Sequence, residues 1–87
     1  MYDVFFTKRV IKQVKNLPDF IQKKLAVLVD DLREQGPIRT EWPNFSKLDK
    51  SRYHCHLAHK WVVCWRCESK SIIIEVYYAG SRENAPY

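Results

Sequence analysis

The sequence predicts an α+β domain: an N-terminal strand, a helical hairpin, then a three-stranded antiparallel meander completing one sheet. Three observations predict it. Apolar residues recur at helical spacing between residues 8 and 35, and residues 53–79 carry three runs rich in aromatic and β-branched side chains. The chain has 87 residues, and one this short buries only about 60% of its unfolded surface, which supports a single core. Residues 1–87 are therefore expected to form one domain.

Tyr2 to Phe6 is a short β-favouring run, and Thr7 offers an N-cap hydroxyl to the helix that follows. In that helix Val10, Ile11, Val14 and Leu17 form the apolar stripe, while Lys8, Lys12 and Lys15 fall on another face. A solvated face accounts for these lysines, with nonspecific attraction to phosphate as an addition. Pro18 separates the helices. From Asp19 to Gln35, Ile21, Leu25, Leu28 and Leu32 keep helical spacing, and Gly36-Pro37 supplies the stop. Residues 38–51 lose periodicity and read as a connection. The three strands follow at Tyr53 to Ala58, Trp61 to Cys67 and Ser71 to Ala79, joined by short breaks at His59-Lys60 and Glu68-Ser69-Lys70. Helices on one face of such a sheet leave the opposite face open for function.

Composition narrows the partners. A formal net charge of +5 attracts a polyanion, either nucleic acid or an acidic protein. The three cysteines, Cys55, Cys64 and Cys67, are odd in number and lie in strand-like runs, which fits a reducing cytoplasm better than a disulfide framework. No basic leader and no apolar stretch approaching the roughly 20 residues of a membrane span is present, so a cytoplasmic protein without membrane contact is expected.

Alternation along a strand places His54 and His56 on one face and Tyr53, Cys55 and Leu57 on the other. With the apolar set facing the helices, two imidazoles about 7 Å apart project from the other face. Lys50, Arg52 and Lys60 supply a basic neighbourhood. Metal-free RNA cleavage needs a base for the 2′-hydroxyl proton, an acid for the departing 5′-oxygen and cations for the charged phosphorane. Histidine serves either proton role near neutral pH, and arginine, always charged, makes paired hydrogen bonds to phosphate oxygens. Arg82, beyond Gly80 at the end of the last strand, is the candidate stabiliser. Spacing alone also fits solvated surface histidines, a basic loop residue at 82 and a tail aromatic at Tyr87. A zinc reading of His54-x-His56-x-x-His59 with Cys64-x-x-Cys67 is weaker, because strand residues 64 and 67 point to opposite faces. No metal or other cofactor is expected.

The segments Tyr53-His54-Cys55-His56-Leu57, Trp61-Val62-Val63-Cys64-Trp65 and Ile74-Glu75-Val76-Tyr77-Tyr78-Ala79-Gly80, with the ending Arg82-Glu83-Asn84-Ala85-Pro86-Tyr87, resemble the RelE/ParE toxin superfamily. The likeness is strongest to its RelE-like branch and extends over nearly the whole chain. It implies the RelE-like microbial ribonuclease fold and the toxin of a type II toxin-antitoxin system, an endoribonuclease that cuts mRNA on the ribosome and inhibits translation. The implied partners are the ribosome, mRNA and a cognate antitoxin in a hetero-oligomer. By similarity His56 is the leading acid/base candidate and His54 a second proton-transfer or phosphate-orienting group. Arg82 would stabilise the phosphorane, and Tyr87 would stack on a base or move a proton. Lys50, Arg52, Lys60 and Arg66 are the expected RNA-binding cations. Relatives carry an arginine where this chain has Val62, which Arg66 or Lys60 would replace, and relatives with the Ala-Pro-Tyr ending often have histidine at the position of Arg82. The alternative within the superfamily is a ParE-like inhibitor of DNA gyrase or a non-catalytic binding module.

Overall fold

A computed structural model describes residues 1–87. In chain order the elements are β1 (Asp3–Phe6), α1 (Lys8–Lys15), α2 (Asp19–Gln35), β2 (Ser46–Lys47), β3 (Arg52–Ala58), β4 (Trp61–Arg66) and β5 (Ile73–Ser81), followed by a single 3-10 turn at Arg82–Asn84. They make one five-stranded sheet in the order β1-β5-β4-β3-β2, antiparallel except where β1 runs parallel to β5. The predicted architecture is present. No helix is long and apolar enough to cross a membrane.

Local chemistry sets the helix ends. Thr7 Oγ1 accepts from the Val10 amide at 3.2 Å and starts α1. At the other end Gln22 Nε2 donates to the Val14 and Leu17 carbonyls, at 2.8 and 3.1 Å, adding a second donor at Val14, which already accepts from the Leu17 amide, and closing the hairpin. α2 stops at Gly36, whose φ of 94° disfavours an L side chain and whose missing Cβ makes room for the Tyr2 ring.

The main core lies between the helices and one sheet face. It contains Val10, Ile21, Leu25, Leu28 and Leu32 from the helices, with Tyr53, Cys55, Leu57, Val63, Trp65, Ile74 and Val76 from the strands. Ile11 is left half exposed, outside this core. Trp65 is fully buried, stacks on Tyr53 with centroids 6.2 Å apart and donates from Nε1 to the Pro37 carbonyl at 3.1 Å.

Two details depart from the sequence reading and a third from simple strand alternation. The connection over residues 38–51 contains the two-residue strand β2, which pairs Ser46 with His54. The last strand starts at Ile73, after Lys70 at a φ of 65°, and continues to Ser81 because Trp61 of β4 pairs there. The third departure concerns facing: strict alternation would place Tyr78 with Ile74 and Val76 in the core. A register shift makes Trp65 pair with Val76 and Cys64 with Tyr78, leaving Tyr77 unpaired as a bulge. Both Tyr77 and Tyr78 therefore pack with Val62 and Cys64 on the histidine face.

Candidate active site

β3 carries His54 and His56 on the face away from the helices, while Cys55 and Leu57 enter the core. Their rings are 5.9 Å apart between centroids, close to the spacing that strand rise implies. That face is not open, contrary to the sequence expectation. Val62, Cys64 and Tyr78 are buried on it, and each histidine is only 8% exposed. Two segments cover it: after β5 the chain turns at Arg82–Asn84, Ala85 packs on the Val62 cluster and the Tyr87 ring lies 4.4 Å from the His54 ring, while β2 and Pro43 border His54 and His56 from the other side.

The tail is placed by backbone contacts. The Arg82 amide donates to the Lys60 carbonyl at 2.8 Å, tying the turn to the β3–β4 connection. The Tyr78 hydroxyl donates to the Ser81 carbonyl at 2.6 Å, and a Cβ at Gly80 would lie 2.8 Å from that hydroxyl. Gly80→Ala is therefore expected to push the buried Tyr78 ring off Ser81 and cost about 1–3 kcal/mol, the range for overpacking. Thermal denaturation checks this, and an unchanged Tm would contradict it.

Arg82 and His56 line one depression of about 330 Å³, together with Lys24 of α2, Asn44 and His59. Lys60 shares a second, smaller depression with Arg82 and lies over the Trp61 ring at 5.5 Å. Arg52 and Arg66 are directly paired across β3 and β4 at the other end of the histidine face. Lys50 is elsewhere, bordering a depression with Tyr2, Pro37 and Tyr53, and is not brought to the histidines. Val62 is fully buried opposite His56, so no cation stands at that position on β4. Lys60 is the cation near Arg82, whereas Arg66 is four residues farther along the strand.

Ser46 Oγ and His54 Nδ1 form a hydrogen bond of 2.9 Å. Burial first, and then the neighbouring His56, push the His54 imidazole below its ordinary pKa, with Ser46 acting in the opposite direction. His54 is thus neutral at pH 7. The tautomer that donates Nδ1–H to Ser46 leaves Nε2 as a bare acceptor, the form a general base requires. Because the folded state disfavours the protonated ring, the unfolded chain binds more protons between the folded pKa and about 6.5. Stability is then expected to fall as pH drops below about 6.5, and His54→Gln should flatten the part of that decline due to this ring. Tm measured from pH 7.5 to 5 checks the sign; a rise on acidification would contradict it.

The remaining nucleophiles are quiet. Burial pushes the Cys64 thiol up to about 12 and Cys55 higher still, so both are protonated at neutral pH. Cys64 and Cys67 belong to opposite faces of the sheet, and no group of three or more His, Cys, Asp or Glu side chains converges as a metal site would require.

Compared with solved structures, the chain superposes over nearly its full length on bacterial and archaeal toxins. A chain of the archaeal RelE-RelB complex from Pyrococcus horikoshii matches with a TM-score of 0.76 at 20% identity, over 97% of this chain and 98% of that one. The fold is RelE-like. Isolated Escherichia coli RelE gives a TM-score of 0.76 at 16% identity, covering 99% of this chain and 89% of its own. Staphylococcus aureus YoeB, solved as a dimer, gives 0.73 at 13% identity, covering 93% and 97%. No protein-family model matches the sequence, and no curated protein matches it. The RelE-like fold explains how histidines on β3 and the residues of the tail, about thirty positions apart in sequence, come together on one face.

Sequence reasoning missed Ser46 and Lys24. Ser46 lay in the segment read as loop, and nothing in α2's periodicity tells that Lys24 borders the cavity beside His56.

Proposed function

We propose that this chain is the toxin of a toxin-antitoxin pair, a metal-independent endoribonuclease that cuts mRNA on the ribosome. The observation carrying this reading is the meeting of His54, His56, Arg82 and Tyr87 at one end of one sheet face. Neutral His54, held by Ser46, takes the 2′-hydroxyl proton. The 2′-oxygen attacks the adjacent phosphorus, and His56 protonates the departing 5′-oxygen. Arg82, exposed and bordering the same cavity as His56, faces the charge that develops on the phosphorane. Tyr87, half exposed beside His54, offers a ring for base stacking. The ribosome presents the codon and so supplies the positioning that so small a protein lacks.

Lys60, Arg52 and Arg66 are the RNA-contacting cations in this reading, with Lys50 a peripheral one. A cognate antitoxin, acidic and folding as it binds, neutralises the toxin. The occurrence of similar folds in a RelE-RelB complex supports that partner. The apolar residues left exposed, including Phe5, Phe20, Ile72 and Ile73, are surface that such a partner would cover.

The test is to express the chain without a partner in growing cells and map RNA 5′ ends. Codon-phased cuts within translated regions are expected, absent for His56→Ala and Arg82→Ala. Intact mRNA accompanied by DNA breaks would overturn the proposal in favour of gyrase inhibition.

A further inference from the structure

Away from the histidines, the same sheet face carries Arg52 and Arg66, cations the proposed function assigns to RNA but to no particular phosphate. Arg52 and Arg66 are direct partners across β3 and β4. Like charges so placed repel one another, yet both side chains are less than half exposed, at 43% and 44%. Asp49 fixes the first: its carboxylate takes the Arg52 Nε and Nη2 donors at 2.6 Å, and the rest of that guanidinium fork lies near the Tyr77 hydroxyl. Arg66 reaches Glu75 only at 3.9 Å, beyond hydrogen-bond distance, and instead lies over the Tyr77 ring at 5.2 Å.

Tyr77 adds the decisive feature. It is the bulge residue of β5, turned onto this face by the register shift. Its hydroxyl is buried between Arg52 and the Cys64 thiol and makes no well-formed hydrogen bond to either, although such groups are almost always fully paired in native proteins. Two guanidinium groups and a poorly satisfied phenol therefore meet, with more donors than the neighbouring acceptors use. A ligand matching that set is rich in acceptors and anionic.

We propose that Arg52, Arg66 and Tyr77 form a second RNA subsite that holds the backbone phosphate one nucleotide away from the scissile one. The inference rests on the ribonuclease reading for its register. Arg52 precedes His54 by two residues on the same strand face, about 7 Å by strand rise, which is close to one nucleotide step of an extended strand. The guanidinium forks clamp the phosphate oxygens, and as they swing onto the phosphate they uncover the phenol, which donates to an oxygen or to a water bound with it.

The experiment uses the full chain and a short single-stranded 2′-O-methyl RNA, which lacks the attacking hydroxyl and stays intact. Binding is followed by fluorescence anisotropy across a salt series. Combining Arg52→Gln with Arg66→Gln is expected to weaken binding about tenfold and to reduce the log–log salt slope by about 0.7, one phosphate contact on a single strand. Tyr77→Phe is expected to weaken binding about threefold while leaving Tm unchanged or higher, because the fold loses only a buried hydroxyl without a well-formed hydrogen bond. A purely structural tyrosine would show no such opposition between affinity and stability. Unchanged affinity and slope in these variants, or no measurable binding by the unaltered chain, overturns the subsite. If the slope drops but mRNA is not cut in the cellular test, the subsite stands and the ribonuclease reading falls. If mRNA is cut but the slope does not change, the ribonuclease reading stands and the subsite falls.

Discussion

Replacing Arg82 with alanine is expected to lower mRNA cleavage by at least about 100-fold while leaving the fold intact, the loss typical of removing one donor to a developing oxyanion. Arg82 is exposed in the turn after β5 and forms no ion pair; what anchors the position is its backbone amide on the Lys60 carbonyl. The substitution therefore removes a charge beside His56 without opening a cavity, and Tm should stay within about 2 °C, as for a surface change worth under 0.5 kcal/mol. Arg82→Lys keeps the charge but loses the fork that grips two phosphate oxygens, so it should recover only part of the rate. Single-turnover cleavage with each purified variant measures both effects. An alanine variant within a few-fold of the parent would remove Arg82 from the chemistry.

The largest loss of stability is expected at Trp65. It is fully buried, packs with Tyr53 and Phe45 at centroid distances of 6.2 and 6.1 Å, and satisfies the Pro37 carbonyl across the α2–β2 connection. Trp65→Ala deletes the ring, leaves a void and strips that carbonyl of its donor, for a cost of about 3–5 kcal/mol. In a domain of this size such a loss is a large share of the 5–15 kcal/mol typical of native proteins. At roughly 4–8 °C per kcal/mol, Tm should fall by more than about 12 °C. Trp65→Phe keeps most of the packing and should fall between the two. Differential scanning calorimetry decides, and a shift of only a few degrees for alanine would show that the core does not depend on this ring.

Much of this architecture is legible in the sequence. Helical spacing in Ile21, Leu25, Leu28 and Leu32 and alternation through Tyr53 to Leu57 are strong, local signals. The same alternation separates His54 and His56 from Cys55 correctly. It fails at Tyr78, because a one-residue bulge reverses facing and leaves no mark in composition. It also implies an open sheet face, since alternation tells which way a side chain points but not what later chain folds over it. Here Ala85 and Tyr87 of the tail do so. Ser46 is invisible for a related reason: two residues make no period, and β2 exists only because β3 offers a partner edge. Lys50 shows the opposite error, in which nearness in sequence to His54 suggests nearness in space.

The most direct test of the proposed mechanism places purified protein on ribosomes programmed with a defined mRNA, in parallel with the same mRNA carrying a single 2′-deoxynucleotide at the cleavage position. One cut within the exposed codon is expected, with a product ending in a 2′,3′-cyclic phosphate or its hydrolysed form, and no cut at the deoxy position. Intact RNA in both reactions, or equal cutting of the deoxy substrate, would contradict the mechanism.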